Sequence, residues 1–327
     1  MTSSDQLHIN HWENFFDDEL HQRLYPTWWD AGTANHWRHR RFMEPILDVL
    51  QTRDDNWLTV GDGCGHDSWI LLNEGFRDVL STDIGAGTLE RSFAEGHIQK
   101  YAQANAERLP FADAQFDGIL CKEAFHHMRR PYLGVYEMLR VARRAVVLIE
   151  PQDQWADFPT RTGQALPTYE RVGNYVYSMS RREVQKLALG LNLPGFACKN
   201  MQDVYIPGCE FARADDEDPL FQRMTQAVKE LEARCAQHQD KWNYLMTIFF
   251  TDPELLNDTT LRNRLDAYGW SVERTDGNPH LTPLASSARR AAASVRSSAT
   301  ASATHRTEPT ARSVSGAERR FEEQASA

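Results

Sequence analysis

Cysteine is scarce in this chain of 327 residues: five are present, and no two stand in a CxxC pair. That spacing gives neither a zinc site nor a disulfide framework. Cys64, Cys121, Cys198, Cys209 and Cys235 are therefore expected as reduced thiols of a cytoplasmic protein. No run of about 18 apolar residues exists, which argues against a membrane-spanning helix. The opening stretch MTSSDQLHINHWENFF has no basic segment and no apolar core, so it does not read as a secretory signal. Positive charge is in deficit: 36 Lys and Arg stand against 46 Asp and Glu, for a net −10. A global field for gripping nucleic acid is absent, and nucleic acid is not the expected partner. No converging set of metal ligands is evident, so no metal site is expected.

Large apolar residues almost vanish after residue 282, where Ala, Ser, Thr and Arg take over. Such a stretch cannot bury enough surface to offset its ordering entropy, and 282–327 is expected to be a disordered tail. Before it, apolar strands alternate with helices. NWLTVG, DVLSTDIG, IQKYAQAN, FDGILCKEAF and AVVLIEP read as five strands. HDSWILLNEG, AGTLERSFAEG and PYLGVYEMLRVARR read as the helices between them. Gly75 is the expected stop of the first helix and Pro131 the start of the third. This rhythm predicts a parallel sheet covered by helices on both faces. Ser180 caps a further helix, and GFACKNMQDVYI and YLMTIFF close the sheet. A helical insertion at about 210–242 separates them. Within it, Phe221, Met224, Val228, Leu231 and Cys235 step by three and four, as on one helix face.

The stretch WLTVGDGCGHDS puts Gly61, Gly63 and Gly65 in a turn after the first strand. Glycine permits positive φ and a close approach of backbone to a ligand. The dinucleotide fingerprint is GxGxxG, but here the third glycine is replaced by His66. No GK[ST] follows, so the phosphate loop of nucleotide hydrolases is excluded. Asp83 ends the second strand, where a carboxylate can accept from both hydroxyls of a ribose. That role serves NAD or S-adenosylmethionine.

The pieces TVGDGCG, VLSTDI, NAERLPFADAQFDGILC, FHHM and MLRVARRAVVLIEP occur in a fixed order. On them the chain resembles a class I S-adenosylmethionine-dependent methyltransferase of the type-11 family. The resemblance implies a Rossmann-like α/β fold: a seven-stranded, mostly parallel sheet with its last strand antiparallel. It divides the chain into an N-terminal helical cap over 1–55, a methyltransferase domain over 56–281 and the tail. It implies that Gly61, Asp62, Gly63 and Gly65 lie against the methionine part of the cofactor. Asp83 would hold the ribose and Ile84 the adenine face. Asn105 and Ala106 would form the adenine-edge turn, and Lys122 and Glu123 would line the methionine side. One departure stands out: Thr59 occupies the position that usually carries an acid.

Methyl transfer to oxygen usually also needs a base, for which neutral histidine is suited. His126 and His127 are the candidates, with Glu150 at the end of the fifth strand. Tyr25, Trp29, Trp37, Arg38 and Arg41, in an aromatic and basic N-terminal segment, are expected at the substrate. The arginines would meet a carboxylate or a phosphate. The expected function is transfer of a methyl group to O or N of a small molecule. The likeness of VGNYVYSMSRREVQKLALGLNLP to glycan-associated bacterial methyltransferases implies a sugar acceptor. An NAD-dependent oxidoreductase, an RNA methyltransferase and a non-catalytic scaffold are the alternatives.

Overall fold

The computed structural model describes residues 4–47, 49–50, 53–153, 169–170 and 173–280, so the tail expected at 282–327 lies outside the described residues. Three helices come first: α1 (Ser4–Glu13), α2 (Glu19–Trp29) and α3 (Ala34–Leu47). Then β1 (Asn56–Val60), α4 (His66–Asn73), β2 (Asp78–Asp83), α5 (Gly87–Ala94) and β3 (Tyr101–Gln103) alternate. They are followed by β4 (Phe116–Lys122), α6 (Pro131–Val141), β5 (Ala142–Pro151), α7 (Arg181–Gly190) and β6 (Gly195–Met201). The chain goes on through α8 (Pro219–Ala236), β7 (Tyr244–Phe250), α9 (Pro253–Asn257), α10 (Thr259–Ala267) and β8 (Ser271–Arg274).

The strands form one sheet in the order β3-β2-β1-β4-β5-β7-β6-β8. β1 through β5 pair in parallel, while β7 runs antiparallel to both β5 and β6. The sheet thus has eight strands rather than seven. The extra one, β8, pairs antiparallel with β6 at the edge. Its four residues, SVER, are partly or fully exposed and carry little apolar alternation, so sequence patterning misses it.

Alternation along the strands divides the core between the two faces. Trp57, Leu120, Val147 and Ile149 face one side with Phe42, Ile46 and Leu71. Leu58, Ile119, Cys121, Val146 and Leu148 face the other with Val135, Met138 and Val184. Local signals set the helix ends. Ser180 and Glu183 form a reciprocal capping box on α7. Pro131 opens α6, and Gly75, just past α4, has φ +89. The five cysteines are free and buried. Among the described residues, no helix is long and apolar enough to cross a membrane.

In β4, a Cβ added at Gly118 would lie 2.5 Å from the Trp57 indole. Gly118→Ala must displace that ring within a packed core. It is expected to destabilise the fold by about 1–3 kcal/mol. Urea unfolding reads the change, and an unshifted midpoint contradicts it.

Candidate active site

The order β3-β2-β1-β4-β5 reverses direction between β1 and β4, and ligands in such sheets bind beyond the carboxyl ends there. A cavity of about 300 Å³ opens at this place, lined by Gly61, Asp83, Ile84, Asn105, Ala106, Glu123 and His127 among others. The structure thus brings together seven of the expected site residues. It also adds Asp5, His8, His11 and Trp12 from α1, with Met128 and Glu170.

The glycine loop is built around one carboxylate. Asp62 Oδ2 accepts from the hydroxyls of Thr59, Ser68 and Ser81, each at 2.6 Å. The same oxygen accepts from Ser68 N at 3.2 Å, and Oδ1 accepts from Asp67 N at 2.9 Å. Thr59 therefore does not leave the loop without an acid. The carboxylate has moved three residues along the chain, and Thr59 is one of its donors. Asp62 is buried under the loop and does not line the cavity.

The three glycines have three different reasons. Gly61 alone lines the cavity; its φ is +70, and an added Cβ would lie 2.3 Å from Ala124 Cβ. Gly63 is covered by the Trp12 indole, 2.7 Å from where its Cβ would be. Gly65 ends the turn as the cap of α4, against Ile98 and Leu89. The visitor to Gly63 is thus a side chain of the same chain. α1 lies across the loop, and Glu13 Oε1 pins it by accepting from Ala86 N at 3.0 Å.

Asp83 is oriented by the loop: Oδ2 accepts from Gly63 N at 2.9 Å and Oδ1 from Gly85 N at 3.2 Å. Burial raises its pKa to about 6, against the pull of those two amides. Asn105 Oδ1 accepts from Glu107 N at 2.8 Å, so the side chain braces its own turn.

Glu123 follows β4 with φ +53, a left-handed conformation that costs a non-glycine residue about 1–3 kcal/mol and collects at functional sites. Burial opposes its charge. Lys122, His39 and Arg38 outweigh that and hold the carboxyl well below its usual range. Tyr244 donates to its Oε1 at 2.7 Å. Lys122 does not line the cavity. Its Nζ is buried 3.3 Å from Asp67 Oδ1 and from Glu123 Oε2, and 3.2 Å from His39 Nδ1. Its part is to fix Glu123 rather than to touch a ligand.

Two histidine–carboxylate pairs stand side by side beyond Glu123. His126 Nδ1 is 2.7 Å from Glu150 Oε2, and Glu150 Oε1 accepts from Ala124 N and Phe125 N at 2.9 Å each. Glu150 is 0% exposed, so the expectation of a substrate contact or base is corrected: it is an anchor for the turn and for His126. Burial alone would lower the His126 pKa, but the Glu150 carboxylate raises it above 6.5. His126 is buried behind the cavity wall. His127 reaches the cavity, with Nδ1 2.7 Å from Glu170 Oε2.

The expected substrate residues are elsewhere. Arg38 and Arg41 are ion-paired to Asp203, at 2.5 Å and 3.2 Å, and Arg41 also meets Glu232. Trp37 packs edge-on against Phe221. Tyr25 is buried and bonds Ser92 at 2.9 Å, while Trp29 stacks on His97. None of the five lines the cavity, because packing and ion pairs consume them. The aromatic cover comes from Trp12 instead. The signal for it was a helical one: Asp5, His8 and Trp12 recur at i, i+3 and i+7 on one face of α1.

The sheet order, glycine loop and acid at the end of β2 define a Rossmann-like α/β fold. Residues 58–149 match a family whose description is "Methyltransferase domain". A curated relative, the demethylmenaquinone methyltransferase of Beutenbergia cavernae, is 31% identical over 134 residues, 40% of this chain. The chain spans 55% of that relative's length. Among solved structures, the cyclase SpnF is 15% identical with a TM-score of 0.48, covering 76% of this chain and 96% of its own. The 1,6-didemethyltoxoflavin-N1-methyltransferase of Burkholderia thailandensis is 14% identical with a TM-score of 0.45, covering 77% and 91%.

Thr59→Val removes one donor from a buried, charged acceptor without changing shape. It is expected to lower stability by about 1–3 kcal/mol. Chemical denaturation checks it, and a wild-type midpoint would show that Asp62 does not depend on Thr59.

Proposed function

We propose that the chain transfers a methyl group from S-adenosylmethionine to an oxygen or nitrogen of a small molecule. The observation that carries this reading is the cavity itself. One end has a glycine backbone and an oriented carboxylate, and the other has imidazoles and acids. Gly61 would leave room for the amino-acid part, and Glu123, held ionised, would face its ammonium group. Asp83 would accept from the ribose hydroxyls through lone pairs that Gly63 and Gly85 leave free. Ile84 and Ala106 would flank the adenine. Bound there, S-adenosylmethionine supplies an already activated methyl group, so the residues chiefly place the acceptor and exclude water.

His127 and Glu170, with Asp5 and His8, also line the cavity and would border the acceptor. The described lining includes no lysine or arginine. That composition suits a neutral, hydroxyl-bearing acceptor such as an unphosphorylated sugar, or an amine. It speaks against a phosphorylated one, because Arg38 and Arg41 are outside the cavity and already paired with Asp203 and Glu232.

Isothermal titration with S-adenosylmethionine tests the reading, and binding of NAD alone would overturn it. Asp83→Ala is expected to weaken binding by about 1–3 kcal/mol through lost hydrogen bonds to a buried ligand. Unchanged affinity refutes the ribose assignment. The pH dependence has a definite sign. Protonation of Asp83 below about pH 6 removes an acceptor, so affinity falls as pH drops through 6 and levels off above it. Titrations of wild type and Asp83→Asn across pH 5–8 separate this from other groups: only the wild type is expected to show that fall.

A further inference from the structure

Three buried polar atoms near Glu170 lack a well-aligned hydrogen bond: His8 Nε2, His127 Nδ1 and Asn174 Oδ1. His8 and His127 line the cavity, and buried polar atoms left so call for an explanation. The His8 and His127 rings are 5.2 Å apart. His127 Nδ1 is only 2.7 Å from Glu170 Oε2, yet it is not aligned with it as a hydrogen bond. His126, on the same turn, joins them. Ligand-capable atoms of His126, His127 and Glu170 all lie within 4.8 Å of one another.

Two imidazoles and a carboxylate are a ligand set for a divalent first-row metal, with nitrogen donors that magnesium and calcium disfavour. The outer support is present too. Glu150 accepts a hydrogen bond from the Nδ1 N–H of His126, which leaves the lone pair on Nε2. Glu150 is itself locked by two backbone amides. Bound metals typically rely on carboxylates that fix a ligating histidine in this way.

We propose that His126, His127 and Glu170 bind one zinc-type divalent metal ion, with an open position toward the cavity and His8 beside it. This cluster is not legible in the sequence, because Glu170 lies far from the histidines along the chain and reaches them only on folding. An ion there would bind a heteroatom of the acceptor and lower its pKa. That consequence rests on the methyl-transfer reading; the binding of the ion does not.

The test uses the full chain, stripped with a chelator and titrated with Co²⁺ and with Zn²⁺. One ion per chain is expected, with visible Co²⁺ bands of low coordination number. His127→Ala and Glu170→Gln should each weaken binding about tenfold or more. His238→Ala, at an exposed histidine, should not. Circular dichroism and S-adenosylmethionine titration of each variant report whether the fold and the cofactor end persist. Should both variants misfold, the wild-type stoichiometry and Co²⁺ spectrum still decide. No saturable binding means that the wall holds ordered water only, and the proposal fails. Binding that survives both substitutions in folded protein also overturns it. Metal binding without S-adenosylmethionine binding would leave the site standing and remove the methyl-transfer reading instead.

Discussion

The site depends on a buried carboxylate that does not line the cavity. Asp62 gathers three hydroxyls and two backbone amides from β1, β2 and the first turn of α4. A buried charge of this kind is tolerable only when its hydrogen-bonding capacity is filled. Its donors therefore fix the path of the loop. Once the loop is set, Gly63 N points at Asp83, and Asp83 is turned to the cavity. Gly61 is pressed on Ala124, which couples the loop to the end of β4. Orientation thus passes from one interior acid to the acid at the cavity.

A second layer of charge lies beside it. Lys122 sits between Asp67 and Glu123, with His39 adjacent, and Tyr244 donates to Glu123 from across the sheet. These contacts hold Glu123 in a left-handed conformation that its own backbone would not choose. α1 then closes the site from above, with Trp12 on Gly63 and Gly85. The cavity wall is consequently half interior, built by strands, and half cover, supplied by the first helix of the chain. That cover adds Asp5, His8 and His11 to the cavity lining.

Much of this was legible in sequence where the signal is local. The strand and helix rhythm, Gly75, Pro131 and Ser180 report on their own neighbourhoods, and the structure places them as read. Asp83 was legible from its place at the end of the second strand, and Asn105 and Ala106 from the resemblance to type-11 methyltransferases; all three line the cavity. The failures share a cause, which is that partners far apart in sequence decide the role. Thr59 looked like a missing acid until Ser68 and Ser81 were seen around Asp62. Arg38 and Arg41 looked free until Asp203 came to meet them. Glu150 was expected at the crevice from its place at a strand end, but the turn at 124–126 folds back over it. β8 carries too little apolar pattern to be seen at all.

The central claim is that this cavity holds an adenosine with its ribose on Asp83 and its amino-acid tail against Gly61 and Glu123. A crystal structure of the chain with S-adenosylhomocysteine tests it most directly. The account predicts density for the ribose hydroxyls within hydrogen-bond distance of both Asp83 oxygens, with the homocysteine ammonium at Glu123 and Trp12 still on Gly63. Density at another surface, or a ribose that does not meet Asp83, would contradict it.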